Sequence, residues 1–154
     1  MSDREYSVTK RIEFCYGHRL LDYDGICKHP HGHNAVAEIE VRTAALDERA
    51  MVCDFSDIKR VVKGWVDREL DHKMILRRDD PLVGPLQALG EPVYLVDSNP
   101  TVECIARIIH DQAKTSGFQV VRVTVWETPS SCATYGERVV AAGQIPRIVT
   151  VGAE

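Results

Sequence analysis

The sequence predicts an α+β domain in which an antiparallel sheet is covered on one face by two consecutive helices, in the order β-β-α-α-β-β. Three observations predict it. Polar and apolar residues alternate over the first third of the chain, two stretches of helical periodicity occupy the middle, and two further strands flank a turn near its other end.

Tyr6 to Gly17 mixes β-branched, aromatic and charged residues as a strand does, and His18 falls where that strand ends. Leu21 to Pro30, rich in Asp, Gly and Pro, is a loop. From Asn34 to Thr43, Ala35, Ala37, Ile39 and Val41 alternate with Val36, Glu38, Glu40 and Arg42. Met51 to Asp54 is expected to return as a short strand, closing a hairpin with it.

Asp54 or Ser56 can cap a helix reaching about Leu70, because Ile58, Val61, Val62, Trp65, Val66 and Leu70 recur at helical spacing. Arg77 to Glu91, with its Pro and Gly residues, reads as an irregular excursion. Asn99-Pro100-Thr101 opens a second helix to about Lys114, whose buried stripe is Val102, Ile105, Ala106, Ile109 and Ala113. Gly117 ends it. Val120 to Thr128 and Ala133 to Ala141 supply two further strands around Pro129-Ser130-Ser131. The 154 residues form a single domain, with a core over about 6–141 and a tail over 142–154.

Hydrophobic residues at 44% and charged residues at 27% are ordinary globular composition. The net charge of -4 and the absence of a basic stripe argue against nucleic acid as a partner. Cys15, Cys27, Cys53, Cys104 and Cys132 are an odd set without paired spacing, so reduced thiols and a cytoplasmic address are expected. The first residues lack an apolar core, and no apolar run approaches the roughly 18 residues of a membrane span. A soluble, unprocessed protein is the expectation.

The chemistry concentrates in Cys27-Lys28-His29-Pro30-His31-Gly32-His33, with His18 upstream. Histidines spaced i, i+2 project from one face of a strand, so His31 and His33 can grip one metal ion together. His18, from a neighbouring strand, would complete a three-nitrogen site that leaves a tetrahedral zinc one open position, as catalytic zinc requires. Each of the three can instead be a histidine satisfied by a local hydrogen bond. His29 shares the i, i+2 spacing to His31 and can replace one of them, whereas His110, inside a helix, receives no role.

Most free cysteines are inert buried hydrophobes, which suits Cys104, Cys15 and Cys53. Cys27 lies in a polar loop beside Lys28 and near the prospective dication, and positive neighbours favour the thiolate. Asp71-His72, directly after the first helix, reads either as a helix C-terminus or as an imidazole tuned by a carboxylate for proton transfer. Glu127, near a strand end, is ordinarily solvated. Facing a pocket, it can accept two parallel hydrogen bonds from a flat, N–H-rich heterocycle.

Five ordered pieces resemble the family of 6-pyruvoyltetrahydropterin and 6-carboxytetrahydropterin synthases. They are Phe14-x-x-x-His18-Arg19-Leu20, Cys27-x-x-x-His31-Gly32-His33-Asn34, Asp54-Phe55, Leu70-Asp71-His72 and Asn99-Pro100-Thr101-x-Glu103, and Trp126-Glu127-Thr128 stands where the family has its pterin-anchoring glutamate. The resemblance runs from about Phe14 to Glu137. It implies that His18, His31 and His33 bind zinc, that Cys27, Asp71 and His72 transfer protons, and that Glu127 holds a pterin ring with Thr101 and Glu103 lining the pocket.

The same resemblance implies the tunnelling fold, assembled as a trimer or a dimer of trimers with active sites at subunit interfaces. The implied reaction is lyase chemistry on 7,8-dihydroneopterin triphosphate, giving 6-carboxy-5,6,7,8-tetrahydropterin with loss of acetaldehyde and triphosphate on the queuosine route. A pyruvoyl-forming synthase uses the same residues, and a homologue acting on another pterin or purine is a further alternative. A non-enzymatic zinc module would instead close its site with His29 or Cys27. Tyr16 departs from the family, which has a small residue two before the first ligand; the 77–97 excursion and the 138–154 segment are also longer than the pattern needs. Cys27 argues against the folate-precursor sub-branch, where a glutamate replaces the cysteine.

Overall fold

The computed structural model describes residues 4–137; the predicted strand beyond Glu137 and the tail over 142–154 lie outside the described residues. Six strands form one sheet: β1 (Tyr6–His18), β2 (His31–Thr43), β3 (Lys73–Arg77), β4 (Val93–Val96), β5 (Val120–Thr128) and β6 (Ser131–Gly136). Their order across the sheet is β4-β3-β1-β2-β5-β6. β1, β2, β5 and β6 pair antiparallel, as the alternating patterns predict.

The helices cover one face. Asp54 caps α1 (Phe55–Ile58) by accepting from the Ser56 N–H; a π-helical segment (Lys59–Lys63) and α2 (Gly64–Glu69) continue it. Thr101 caps α4 (Val102–Thr115) by accepting from the Cys104 N–H, and Gly117, at φ +95°, takes the left-handed conformation that stops it. Ile58, Val62, Val66 and Leu70 from the first helical run, and Ile105, Ile109 and Ala113 from α4, are buried against Ile12, Phe14, Ile39, Val41, Val123 and Val125. Each fully buried isoleucine contributes about 2 kcal/mol of transfer free energy, so this interface holds the helices to the sheet. Among the described residues no helix is long and apolar enough to cross a membrane.

Four features differ from the sequence expectation. The helices are not consecutive, because the excursion holds β3, a short helix α3 (Val83–Ala88) and β4. β3 and β4 are parallel to β1 and extend the sheet, which is therefore mixed rather than wholly antiparallel. Their apolar runs are too short to show a period beside so many turn residues. Met51 to Asp54 is not a strand. Asp47 folds that segment locally, its carboxylate accepting from the N–H groups of Arg49 and Met51 while its own N–H donates to the Met51 carbonyl. β2 also begins three residues earlier than predicted, at His31 rather than Asn34, which places both paired histidines on the strand itself.

Candidate active site

The antiparallel ladder sets His18 opposite His31 and Tyr16 opposite His33. Side chains alternate along a strand, so these four share the helix-covered face and extend the line of Ile12 and Phe14. One nitrogen from each of His18, His31 and His33 lies within 4.8 Å of the others, with His18 buried and the other two half-buried.

Backbone carbonyls fix the protons on two of these rings. Nδ1 of His18 is 2.7 Å from the Pro100 oxygen, and Nδ1 of His31 is 2.8 Å from the His29 oxygen. A carbonyl only accepts, so each Nδ1 carries a proton, and in a neutral ring Nε2 then keeps its lone pair. Those two Nε2 atoms nevertheless face each other at 3.0 Å. Two lone pairs at that separation repel unless a proton or a metal ion lies between them. Nε2 of His33 is buried without a hydrogen-bond partner among the described residues. Burial, opposed by the Pro100 hydrogen bond and the Glu127 charge, lowers the His18 pKa and favours the neutral ring that ligates metals. The residues present therefore fit a divalent ion with imidazole ligands, and the carbonyls of Pro100 and His29 would orient two of them.

Glu127 comes to this cluster as well. Its Oε1 accepts from the Tyr16 hydroxyl at 2.9 Å and lies 3.3 Å from His33 Nε2 and 3.4 Å from His18 Nε2. Burial, reinforced by the Glu127 charge and hydrogen bond, pushes the Tyr16 phenol far above its usual range, so Tyr16 remains a donor.

Asp71 and His72 are clipped onto β1 at Cys15. The Cys15 N–H donates to Asp71 Oδ1 at 2.7 Å, the His72 N–H donates to the Cys15 carbonyl at 2.6 Å, and Asp71 Oδ2 holds His72 Nδ1 at 2.7 Å. Partial burial pushes the Asp71 carboxyl up, but the hydrogen bonds from Cys15 and His72 outweigh it and hold the pKa below the ordinary value. His72 adopts φ +57° and leaves its ring exposed. A cleft of about 530 Å³ is lined by His31 and His72 together, with Tyr16, Lys73 and Glu91. Of the three clustered imidazoles, His31 thus shares this space with the carboxylate-held His72.

Other candidates are placed apart. Cys27 sits in a 3-10 turn (Ile26–Lys28), half-buried, and its carbonyl accepts from the Leu20 N–H. Among the described residues its thiol makes no hydrogen bond, to Asp71–His72 or to any other group. Thr101 serves as the α4 cap beside Pro100, and Glu103 is exposed in the first turn. His29 contributes a carbonyl instead of its ring, and His110 lies on α4 against Asp111 and Tyr135. Of the nearby cations, Arg19 pairs with the buried Asp80, and Arg77 pairs with Asp22 and Asp79. The Pro100 carbonyl was invisible to motif reading because any residue supplies a carbonyl. Tyr16 was visible only as an unexpected bulky residue.

A sequence model of the family described as 6-pyruvoyl tetrahydropterin synthase matches residues 7–138. A Rickettsia bellii protein named 6-carboxy-5,6,7,8-tetrahydropterin synthase is 37% identical over 129 residues, covering 79% of this chain and 94% of its own. A protein of the same name from Aquifex aeolicus is 33% identical, covering 86% and 99%. Among solved structures, an uncharacterised protein of Wolinella succinogenes superposes with a TM-score of 0.73 at 25% identity, covering 88% of this chain and all of that one. The 6-pyruvoyl tetrahydropterin synthase of Caenorhabditis elegans shares the fold, with a TM-score of 0.65 at 22% identity over 88% of this chain and 97% of its own. The mixed sheet with helices on one face is the tunnelling fold of these neighbours. A match spanning nearly every described residue, with the imidazole cluster inside it, makes this chain a member of the 6-pyruvoyl tetrahydropterin synthase family.

Proposed function

We propose that the protein is a zinc-dependent lyase converting 7,8-dihydroneopterin triphosphate and water into 6-carboxy-5,6,7,8-tetrahydropterin, acetaldehyde and triphosphate, on the route to queuosine and related 7-deazaguanines. The observation that carries this reading is the convergence of one nitrogen each from His18, His31 and His33 within 4.8 Å, with His31 also lining the cleft that holds His72. Family membership and the names of the bacterial relatives support the reaction class.

His18, His31 and His33 would hold one zinc ion, which when bound supplies a Lewis acid for the hydroxyls of the substrate side chain. Cys27, as thiolate, removes the carbon-bound proton beside those hydroxyls. His72, oriented by Asp71, carries protons through the cleft. Glu127 accepts hydrogen bonds from the N–H groups of the pterin ring, while Thr101 and Glu103 border it at the start of α4. Because the Cys27 thiol makes no hydrogen bond to Asp71–His72 among the described residues, we place the complete relay across a subunit boundary in a trimer or dimer of trimers. Such an assembly would also cover β4 and β6, the sheet edges. Five free cysteines suit a reducing cytoplasm.

Product analysis tests the reading. Purified zinc-loaded protein given 7,8-dihydroneopterin triphosphate is expected to release acetaldehyde and 6-carboxytetrahydropterin, detected by chromatography and mass spectrometry. A diketo pterin without acetaldehyde would show the pyruvoyl-forming synthase instead. An unconsumed substrate would contradict both.

A further inference from the structure

The carboxylate expected to face the pterin is turned toward the imidazoles. One oxygen of Glu127, Oε1, is shared among three neighbours: the Tyr16 hydroxyl at 2.9 Å, His33 Nε2 at 3.3 Å and His18 Nε2 at 3.4 Å. Two ligand atoms held about 2.0–2.1 Å from one tetrahedral zinc ion lie about 3.3–3.4 Å apart. Both Glu127–imidazole separations have that value, and the 3.0 Å between His18 and His31 is close to it. Carboxylate oxygen is an ordinary zinc ligand beside imidazole nitrogen. A carboxylate beside the lone pair of His18 Nε2 is repelled unless positive charge lies between them.

Tyr16 explains why the carboxylate stays. Its side chain is almost wholly buried, and its ring packs edge-on to His18 with centroids 5.1 Å apart and against His33 at 5.7 Å. So confined, the phenol donates to Oε1, which fixes which way Glu127 points. A small residue at position 16 could not do this.

We infer that Glu127 is the fourth metal ligand of the substrate-free protein and that Tyr16 is the positioning residue that holds it there. The inference rests on the three-histidine metal reading and deepens it. The resting site is closed, and the substrate must displace Glu127, which then becomes available to the pterin ring. Tyr16, where the family has a small residue, would make this chain bind its metal more tightly and admit substrate only by exchange.

Metal binding by the full-length protein tests this without any turnover. Metal-free wild type, Glu127→Gln and Tyr16→Phe are titrated with Co²⁺ while the visible ligand-field bands are followed, and Zn²⁺ affinity is measured by competition with a chromophoric chelator. Both substitutions are nearly isosteric, and circular dichroism checks that they fold. Glu127→Gln is expected to weaken Zn²⁺ binding about 100-fold and Tyr16→Phe about 10-fold, each with altered Co²⁺ bands. A purely structural role for Tyr16 would leave those bands unchanged. If wild type takes up one Co²⁺ and Glu127→Gln matches it in affinity and spectrum, the fourth-ligand inference fails while the three-histidine site stands. If wild type takes up no Co²⁺ or Zn²⁺, both fail.

Discussion

Gly17 and Gly32 stand opposite each other in the β1–β2 ladder, between the His18–His31 pair and the Tyr16–His33 pair. A Cβ on Gly32 would lie 2.9 Å from the Tyr16 carbonyl oxygen, a backbone atom that cannot swing aside. On Gly17 the added atom would instead meet Met74 Sδ, the far end of a flexible side chain. Gly32→Ala is therefore expected to spread the strands where the histidines converge and to weaken Zn²⁺ binding about 10- to 100-fold. Gly17→Ala should cost much less. Chelator competition on the two variants checks the asymmetry, and equal losses would contradict it.

His72 occupies the left-handed region at φ +57°, and its side chain is 80% exposed, so packing does not account for it. Asparagine tolerates that backbone conformation. His72→Asn is expected to leave unfolding free energy within about 0.5 kcal/mol of wild type while lowering kcat about 10²- to 10⁴-fold. Denaturant unfolding and single-substrate kinetics on the same preparation measure both. A large stability loss with intact turnover would reverse the assignment.

Cys27 lies outside the imidazole cluster, and its thiol has no hydrogen-bond partner among the described residues. Cys27→Ala should abolish turnover and still bind one zinc per chain. Loss of zinc would favour a closed structural site with Cys27 as a ligand.

Arg19 follows His18 and forms an ion pair with Asp80, whose side chain is fully buried. Burial pushes the Asp80 carboxyl up, but the hydrogen bonds from Arg19 and the Leu82 N–H outweigh it, and the net pKa lies below the ordinary value. A depressed carboxyl stabilises the fold above the unfolded-state pKa of about 3.9, and that contribution disappears as pH falls through the lower folded value. Arg19→Ala strands the buried carboxylate and should cost about 3 kcal/mol at neutral pH. It should also move the acid-unfolding midpoint upward. Urea unfolding across a pH series reads both effects, and an unchanged midpoint would contradict them.

Much of this architecture was legible because the antiparallel strands and the two long helices have clean periods. β5 was predicted at its observed limits, Val120 to Thr128, ahead of the turn at Pro129-Ser130-Ser131. β3 and β4 were hidden because Met74–Leu76 and Val93–Val96 are short buried runs without a period, flanked by turn residues. The three histidines were legible because i, i+2 spacing needs only a strand to bring two of them together, whereas the Pro100 carbonyl required the folded chain. The turning of Glu127 toward the histidines depended on Tyr16, whose hydroxyl finds its partner 111 positions away. No local pattern encodes such a contact.

Zinc stoichiometry tests the central claim most directly. After exposure to Zn²⁺ and dialysis, wild-type protein analysed by plasma mass spectrometry should hold about one ion per chain, and His31→Ala should hold essentially none. A wild type that refuses zinc, or a His31→Ala variant that keeps it, would contradict the convergence of these rings on a single cation.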